Sequence, residues 1–295
     1  MNHLSDLSLT HIQPLSDTAP VVIGGIGGSG TRVVAGLLQQ LGFDIGSDLN
    51  DSLDDLSFTA LFKRPALWPL CEHIDQLTVA LATYLTARGH PTPPEVTSAD
   101  QSSRAQLLLN DIDSEIAWQE VGTLQDRSAS LCAIGTGQSS WGWKEPNTHI
   151  VLPFLLAALP NMRYIHVIRH GVDMAFSRNQ TQVALWGAAM AAGDGDEHSR
   201  SITYWCHVQE RMQQLSELYP ERIHWLRLES LFDNPATTAT GLCTFLQTPQ
   251  LLESLQDACG LVKQPPTLGR YKTQPAITLP ESQLSTLQDL GYSYP

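Results

Sequence analysis

The stretch Pro20-Val21-Val22-Ile23-Gly24-Gly25-Ile26-Gly27-Gly28-Ser29-Gly30-Thr31-Arg32 opens as a short β-branched run and breaks into glycines. A helical pattern follows, with Val33, Val34, Leu37, Leu38 and Leu41 on one face. A buried strand, a Gly-rich loop and a helix is the reading. Glycines let the backbone turn with its N–H groups inward, and a helix N-terminus adds partial positive charge; together they suit a phosphate. Such a turn can equally be a plain strand–helix connection, and its place directly after the first apolar strand is what favours phosphate. Two familiar phosphate sites do not fit. Gly25 to Gly30 keeps the GxxxxG frame of a P-loop NTPase, but Thr31-Arg32 follows where Lys-Ser/Thr should stand. Gly25-x-Gly27-x-x-Gly30 matches a dinucleotide fingerprint, yet Asp48 and Asp51 sit in a polar stretch rather than at the end of an apolar second strand.

Beyond the loop, helical periodicity over 74–88 and 104–119 flanks the Pro/Ser-rich stretch His90–Ser103, which reads as a loop. From Trp141 short apolar strands alternate with helices: a strand end at Trp141–Glu145, a helix at His149–Leu159, a strand at Tyr164–Ile168 and a helix through Ser177. A long helix at 199–219, a strand at Ile223–Leu228, a helix at Pro235–Leu246 and a short final helix ending at Gly291 continue the rhythm. This alternation predicts an α/β fold: three layers, a mainly parallel sheet, a P-loop-like phosphate cradle, and a helical insertion over residues 47–140. Residues 1–295 are expected to form one domain.

Seventeen Lys+Arg against 30 Asp+Glu give a net charge of −13. That argues against nucleic acid or an anionic membrane as the main partner, since both need clustered positive charge, but leaves room for a small anion held by a few converging basic residues. The five cysteines are scattered, with no CxxC, and read as reduced thiols. No HExxH or clustered His/Cys set is present, so no metal is expected. The opening residues lack a basic segment followed by an apolar core, and no apolar run approaches the ~20 residues of a membrane span. The expectation is a soluble, cytoplasmic protein without a membrane span; nothing in the sequence fixes its oligomeric state.

Ser29-Gly30-Thr31 after a Gly-rich strand end resembles the 5′-phosphosulfate loop of the sulfotransferases that use 3′-phosphoadenosine 5′-phosphosulfate (PAPS). Ile168-Arg169-His170-Gly171-Val172-Asp173-Met174-Ala175-Phe176-Ser177 resembles the same family's 3′-phosphate motif. The spacing has a physical reason: Arg169 leaves the carboxyl end of a strand, and Ser177 is expected two turns along the next helix, so both can reach one phosphate. The competing reading of Arg169 is a salt bridge to Asp173. Trp143-Lys144-Glu145-Pro146 is similar to the segment whose Lys faces the transferred sulfonyl group. Leu226–Leu246 is similar to the family's strand–turn–helix, and Leu268-Gly269-Arg270-Tyr271-Lys272 to its basic C-terminal loop. The matches cover residues 20–46 and 141–292, in the family's order.

The resemblance implies a cradle of Gly27, Gly28, Ser29, Gly30, Thr31 and Arg32, a 3′-phosphate site of Arg169 and Ser177, and closure by Arg270, Tyr271 and Lys272. It implies PAPS as co-substrate, no metal, and a small-molecule or carbohydrate acceptor, with residues 47–140 on the acceptor side. Leu77, Leu81, Tyr84, Leu108 and Trp118 fit either core packing or a substrate wall. Where the family carries Lys or Arg before Ser-Gly-Thr, this chain has Gly28; Arg32 is the residue expected to supply that charge, with Lys144, on the leaving group. Asp48, His149 and Glu145 are all candidates for the general base, and Asp51, Asp54 and Asp55 read as a solvated acidic turn. A P-loop kinase and a PAPS-binding protein without catalysis are the competing classes.

Overall fold

The structure is a computed structural model that describes residue 9 and residues 12–93, 100–112 and 121–295. Strands β1 (Val21–Gly25), β2 (Gly142–Lys144), β3 (Arg163–Ile168) and β4 (Ile223–Arg227) form one parallel sheet in the order β2-β1-β3-β4, flanked by helices. The expected α/β class is the one the chain adopts. All of β1 is buried, as an apolar run in a parallel sheet should be. Its register with β2 pairs Val21 with Gly142, Val22 with Trp143 and Ile23 with Lys144. Lys144 therefore stands beside the carboxyl end of β1, just before the glycines begin. Helix α1 (Thr31–Gln40) follows the loop and buries Val34, Ala35, Leu37 and Leu38.

Packing divides the chain into two compact units, Met1–Gly24 with Leu38–Tyr164, and Gly25–Leu37 with Ile165–Pro295. The first unit holds α2 (Leu56–Phe62), α3 (Ile74–Ala87), α4 (Gln101–Ile112), α5 (Leu124–Cys132) and α6 (Thr148–Ala158). Its centre is aromatic: Phe58 stacks on Trp143 at 4.8 Å, and Tyr84 meets both edge-on at 5.5 Å. Two of these helices, α2 and α5, escape a periodicity reading because they are short, but each starts on a cap. Asp55 accepts the Phe58 N–H at 2.8 Å, and Thr123 forms a capping box with Asp126. The expected helix 104–119 starts at Gln101 and is followed to Ile112; its remainder, with Trp118, lies outside the described residues, as do residues 94–99 and 1–8.

The second unit holds α7 (Gly171–Ala175), α8 (Thr181–Trp186), α9 (Glu197–Leu218), α10 (Ser230–Asp233), α11 (Pro235–Leu246), α12 (Leu252–Leu261) and α13 (Glu281–Asp289). The helix after β3 is shorter than expected. It ends at Ala175, the Gln180 amide binds the carbonyls of Met174 and Ser177, and Ser177 sits in the turn beyond it. Among the described residues no helix is long and apolar enough to cross a membrane.

Two loop glycines carry the local geometry. Gly28 and Gly30 have φ of +96° and +101°, where side chains are rarely tolerated. A Cβ on Gly30 would also stand 2.5 Å from Leu228 Cδ1, and Leu228 is buried; one on Gly28 would find only ordinary contacts. We therefore expect Gly28→Ala to destabilise by about 1–3 kcal/mol through the backbone alone, and Gly30→Ala by clearly more. Denaturant unfolding of both variants checks the order; equal losses would show that Leu228 yields freely.

Candidate functional site

In the second unit the loop and the motif after β3 meet. Arg169 is 2% exposed, and its Nη1 donates to the Gly28 carbonyl at 3.4 Å. The Ser177 hydroxyl lies 3.5 Å from the position a Cβ on Gly28 would take. The spacing of Arg169 and Ser177 thus brings both to one stretch of the loop, although Ser177 reaches it from a turn and not from a helix. Ser29 is buried, and its hydroxyl has no hydrogen-bond partner among the described residues. A buried unpaired hydroxyl is costly unless something binds it, so this loop suits an anionic oxygen. Arg32 stands exposed on the first turn of α1, with no ion pair among the described residues.

Asp173 ties this region together. It is 0% exposed and accepts Arg169 Nε at 3.1 Å and Nη2 at 2.8 Å, so the expected alternative, an Arg169–Asp173 salt bridge, is present. The same carboxylate accepts the backbone N–H of Gly269 at 2.6 Å and of Tyr271 at 3.0 Å. Arg169 also bonds to the Thr267 carbonyl, and Arg270 to the carbonyls of Thr267 and Phe176. The C-terminal basic loop is thereby fastened to the motif that follows β3. Tyr271 stacks on His170 at 4.3 Å, while Lys272 is exposed. His170 accepts the Val172 N–H through Nδ1 and bonds the Ser293 carbonyl through Nε2, a pairing that suits the neutral ring. Burial lowers its pKa in agreement.

The remaining expected residues lie in the first unit. The Lys144 ammonium is buried, ion-paired with Asp54, and donates to the Ser52 carbonyl at 3.0 Å. Asp48 is held by Arg127, by Ser130 at 2.7 Å and by Ser57 at 3.2 Å. Burial alone would raise its pKa, but these hydrogen bonds and the Arg127 charge outweigh it and hold the carboxyl below its ordinary range. Glu145 is 3% exposed and accepts Asn147 Nδ2 at 2.8 Å. Burial, joined by the charge of Asp54, pushes its carboxyl up to about 7. His149 is buried in α6.

The expected solvated acidic turn holds only for Asp51. Asp55 is 2% exposed, caps α2, and takes Tyr84 Oη at 3.0 Å and Arg88 Nη1 at 3.2 Å, while Asp54 is the partner of Lys144. A charge-rich segment reads as solvated because the sequence does not show which distant cation each carboxylate will meet. Asn50 and Asp54 at this spacing are an available signal, since Asn side chains brace tight loops.

A family model described as the sulfotransferase family matches residues 20–252. Among solved structures, the chain is similar to a sulfotransferase domain from the curacin biosynthetic pathway at 18% identity, covering 95% of this chain and 100% of that one, with a TM-score of 0.49. A sulfotransferase from Mycobacterium avium shows 14% identity, coverage of 98% and 79%, and a TM-score of 0.44. A sulfotransferase domain from the Synechococcus PCC 7002 olefin synthase shows 12%, coverage of 96% and 98%, and a TM-score of 0.43. No curated protein matches the chain. With its Gly-rich loop, its Arg169–Ser177 motif and most of its length inside the family match, the chain belongs to the sulfotransferase family.

Proposed function

We propose that this sulfotransferase takes the sulfonyl group from PAPS and passes it to a hydroxyl or amine of a small-molecule or carbohydrate acceptor. The observation that carries the reading is the meeting of Arg169 and Ser177 at Gly28, with the unpaired Ser29 hydroxyl in the same loop. The Nη1 end of the Arg169 guanidinium, held only by long contacts, and a hydroxyl suit the 3′-phosphate; the amides of Gly27, Gly28, Gly30 and Thr31, with the Ser29 hydroxyl, suit the 5′-phosphosulfate. Asp173 orients Arg169, and Arg270, Tyr271 and Lys272 close the nucleotide side.

In this reading the acceptor oxygen forms a bond to sulfur as the bond from sulfur to the 5′-phosphate oxygen breaks. The electron pair leaves on adenosine 3′,5′-bisphosphate, and the acceptor proton goes to a base. Lys144 and Arg32 stabilise the charge that develops on the leaving oxygen. Gly28 cannot simply be exchanged for a lysine, because its φ of +96° disfavours any side chain. The charge must come from another position, and Arg32 is not committed to a carboxylate among the described residues. Of the three base candidates Glu145 suits the role best, since a base titrating near the working pH is the most effective. Asp48 is already consumed by Arg127.

Adenosine 3′,5′-bisphosphate should bind much more tightly than AMP, and Arg169→Ala should weaken it about tenfold or more. Calorimetry with the two nucleotides checks this, and equal affinities would remove PAPS as the donor.

Glu145 gives a second test. Its folded pKa of about 7 lies above its ordinary 4.5, so its contribution to stability is full below 4.5 and is lost as pH rises toward 7. Between those values the Tm of the wild type should fall relative to Glu145→Gln, then run parallel above pH 7. Turnover, which needs the ionised form, should instead rise with pH through about 7, and Glu145→Gln should lower it about 10²-fold or more. A Tm difference independent of pH would contradict the raised pKa, and an unchanged rate would pass the base role to His149 or Asp48.

A further inference from the structure

The loop from Asn50 to Asp55 is built around Lys144. The Asn50 side-chain oxygen accepts the N–H groups of Ser52 at 2.8 Å and Asp54 at 2.9 Å, which closes the loop on itself. Asn50 Nδ2 donates to Asp54 Oδ2 at 3.0 Å, and the other oxygen of that carboxylate takes the Lys144 ammonium. Lys144 Nζ donates also to the Ser52 carbonyl at 3.0 Å, and the Asp55 N–H donates to the Lys144 carbonyl at 2.9 Å. The loop therefore grips the lysine at both its side chain and its backbone. The lysine side chain is 3% exposed and that of Asp54 19%, so the pair is largely shielded from screening by water.

An ammonium has three N–H donors in tetrahedral geometry. Two are spent on Ser52 and Asp54, and the third has no partner among the described residues. Fixing two directions fixes the third. We infer that Asp54, braced by Asn50, is a positioning residue that aims the remaining N–H of Lys144. This rests on the proposed role of Lys144 toward the transferred sulfonyl group; it adds a reason why a flexible four-carbon side chain holds one direction. The groups around the neighbouring Glu145 agree with this placement. Burial and then the charge of Asp54 raise its pKa, while Asn147, Lys63 and Lys144 act the other way.

The inference is tested without an acceptor, by calorimetry with PAPS and with adenosine 3′,5′-bisphosphate on the full chain. The quantity read is the ratio of the two affinities, which isolates the sulfonyl group. Lys144→Ala should lower the preference for PAPS about tenfold, and Asp54→Asn about threefold or more, with little change in bisphosphate binding. The double variant should lose no more than Lys144→Ala, because Asp54 acts through the lysine. Losses that multiply, or an Asp54→Asn ratio equal to the wild type, would overturn the inference. A Lys144→Ala ratio equal to the wild type would instead overturn the role of Lys144 itself. A purely structural Asp54 would lower Tm and weaken both nucleotides alike. If Asp54→Asn does not fold, Asn50→Ala frees the carboxylate while keeping the ion pair's two partners. It should lower the ratio in the same direction, and no change there would count against the aiming role.

Discussion

The buried carboxylate of Asp173 is the constraint on which the motif after β3 and the C-terminal loop both depend. A carboxylate with no exposure must have its lone pairs satisfied, and here a guanidinium and two backbone N–H groups do so. Its partners come from two places in the chain: Arg169 at the end of β3, and Gly269 and Tyr271 in the C-terminal loop. Removing it would leave Arg169 without its carboxylate partner and the backbone N–H groups of Gly269 and Tyr271 without their acceptor. Breaking such a pair leaves an uncompensated buried charge, which costs more than the pair's net worth. The Arg169–Asp173 salt bridge is compatible with phosphate binding, because it leaves one end of the guanidinium weakly held. Asp173 holds Nε and Nη2 of the guanidinium and the Thr267 carbonyl takes Nη2 as well, whereas Nη1 makes only long contacts, 3.4 Å to the Gly28 carbonyl and 3.5 Å to Thr267 Oγ1, which a phosphate oxygen can replace.

The first unit repeats the device with other residues. Asp48 with Arg127, Asp54 with Lys144, and Asp55 with Arg88 each tie a carboxylate between α1 and α2 to a distant cation. These pairs divide the acidic residues by function. Asp55 caps α2 and steadies the aromatic centre, Asp48 is locked by Arg127, and Asp54 is left to Lys144. Glu145 is buried beside Asn147 rather than ion-paired among the described residues, and burial, joined by the charge of Asp54, pushes its carboxyl up to about 7.

Much of this fold is legible in the sequence because its strands are short apolar runs closed by glycine, arginine or proline. The loop after β1, the helix α3 and the long helix α9 follow from periodicity alone. The end of the helix after β3 does not. Phe176 and Ser177 continue an acceptable helical pattern, and only the turn in which the Gln180 amide takes the carbonyls of Met174 and Ser177 reveals the stop. Helix α2 was hidden behind its own cap: Asp55 reads as one more solvated acid until its burial against Tyr84 and Arg88 is seen. For the site, the Arg169–Ser177 spacing is visible in the sequence, whereas the partner of Lys144 depends on a long-range contact that no local pattern encodes.

The central claim is that the loop after β1 and the motif after β3 hold one nucleotide carrying phosphates at both 3′ and 5′. A crystal structure of the protein with adenosine 3′,5′-bisphosphate tests it most directly. The account predicts the 3′-phosphate on the Arg169 guanidinium and the Ser177 hydroxyl, and the 5′-phosphate on the amides of Gly27, Gly28, Gly30 and Thr31 with the Ser29 hydroxyl paired. A nucleotide bound elsewhere, or one whose 3′-phosphate faces solvent while Arg169 stays with Asp173 and Thr267 alone, would contradict it.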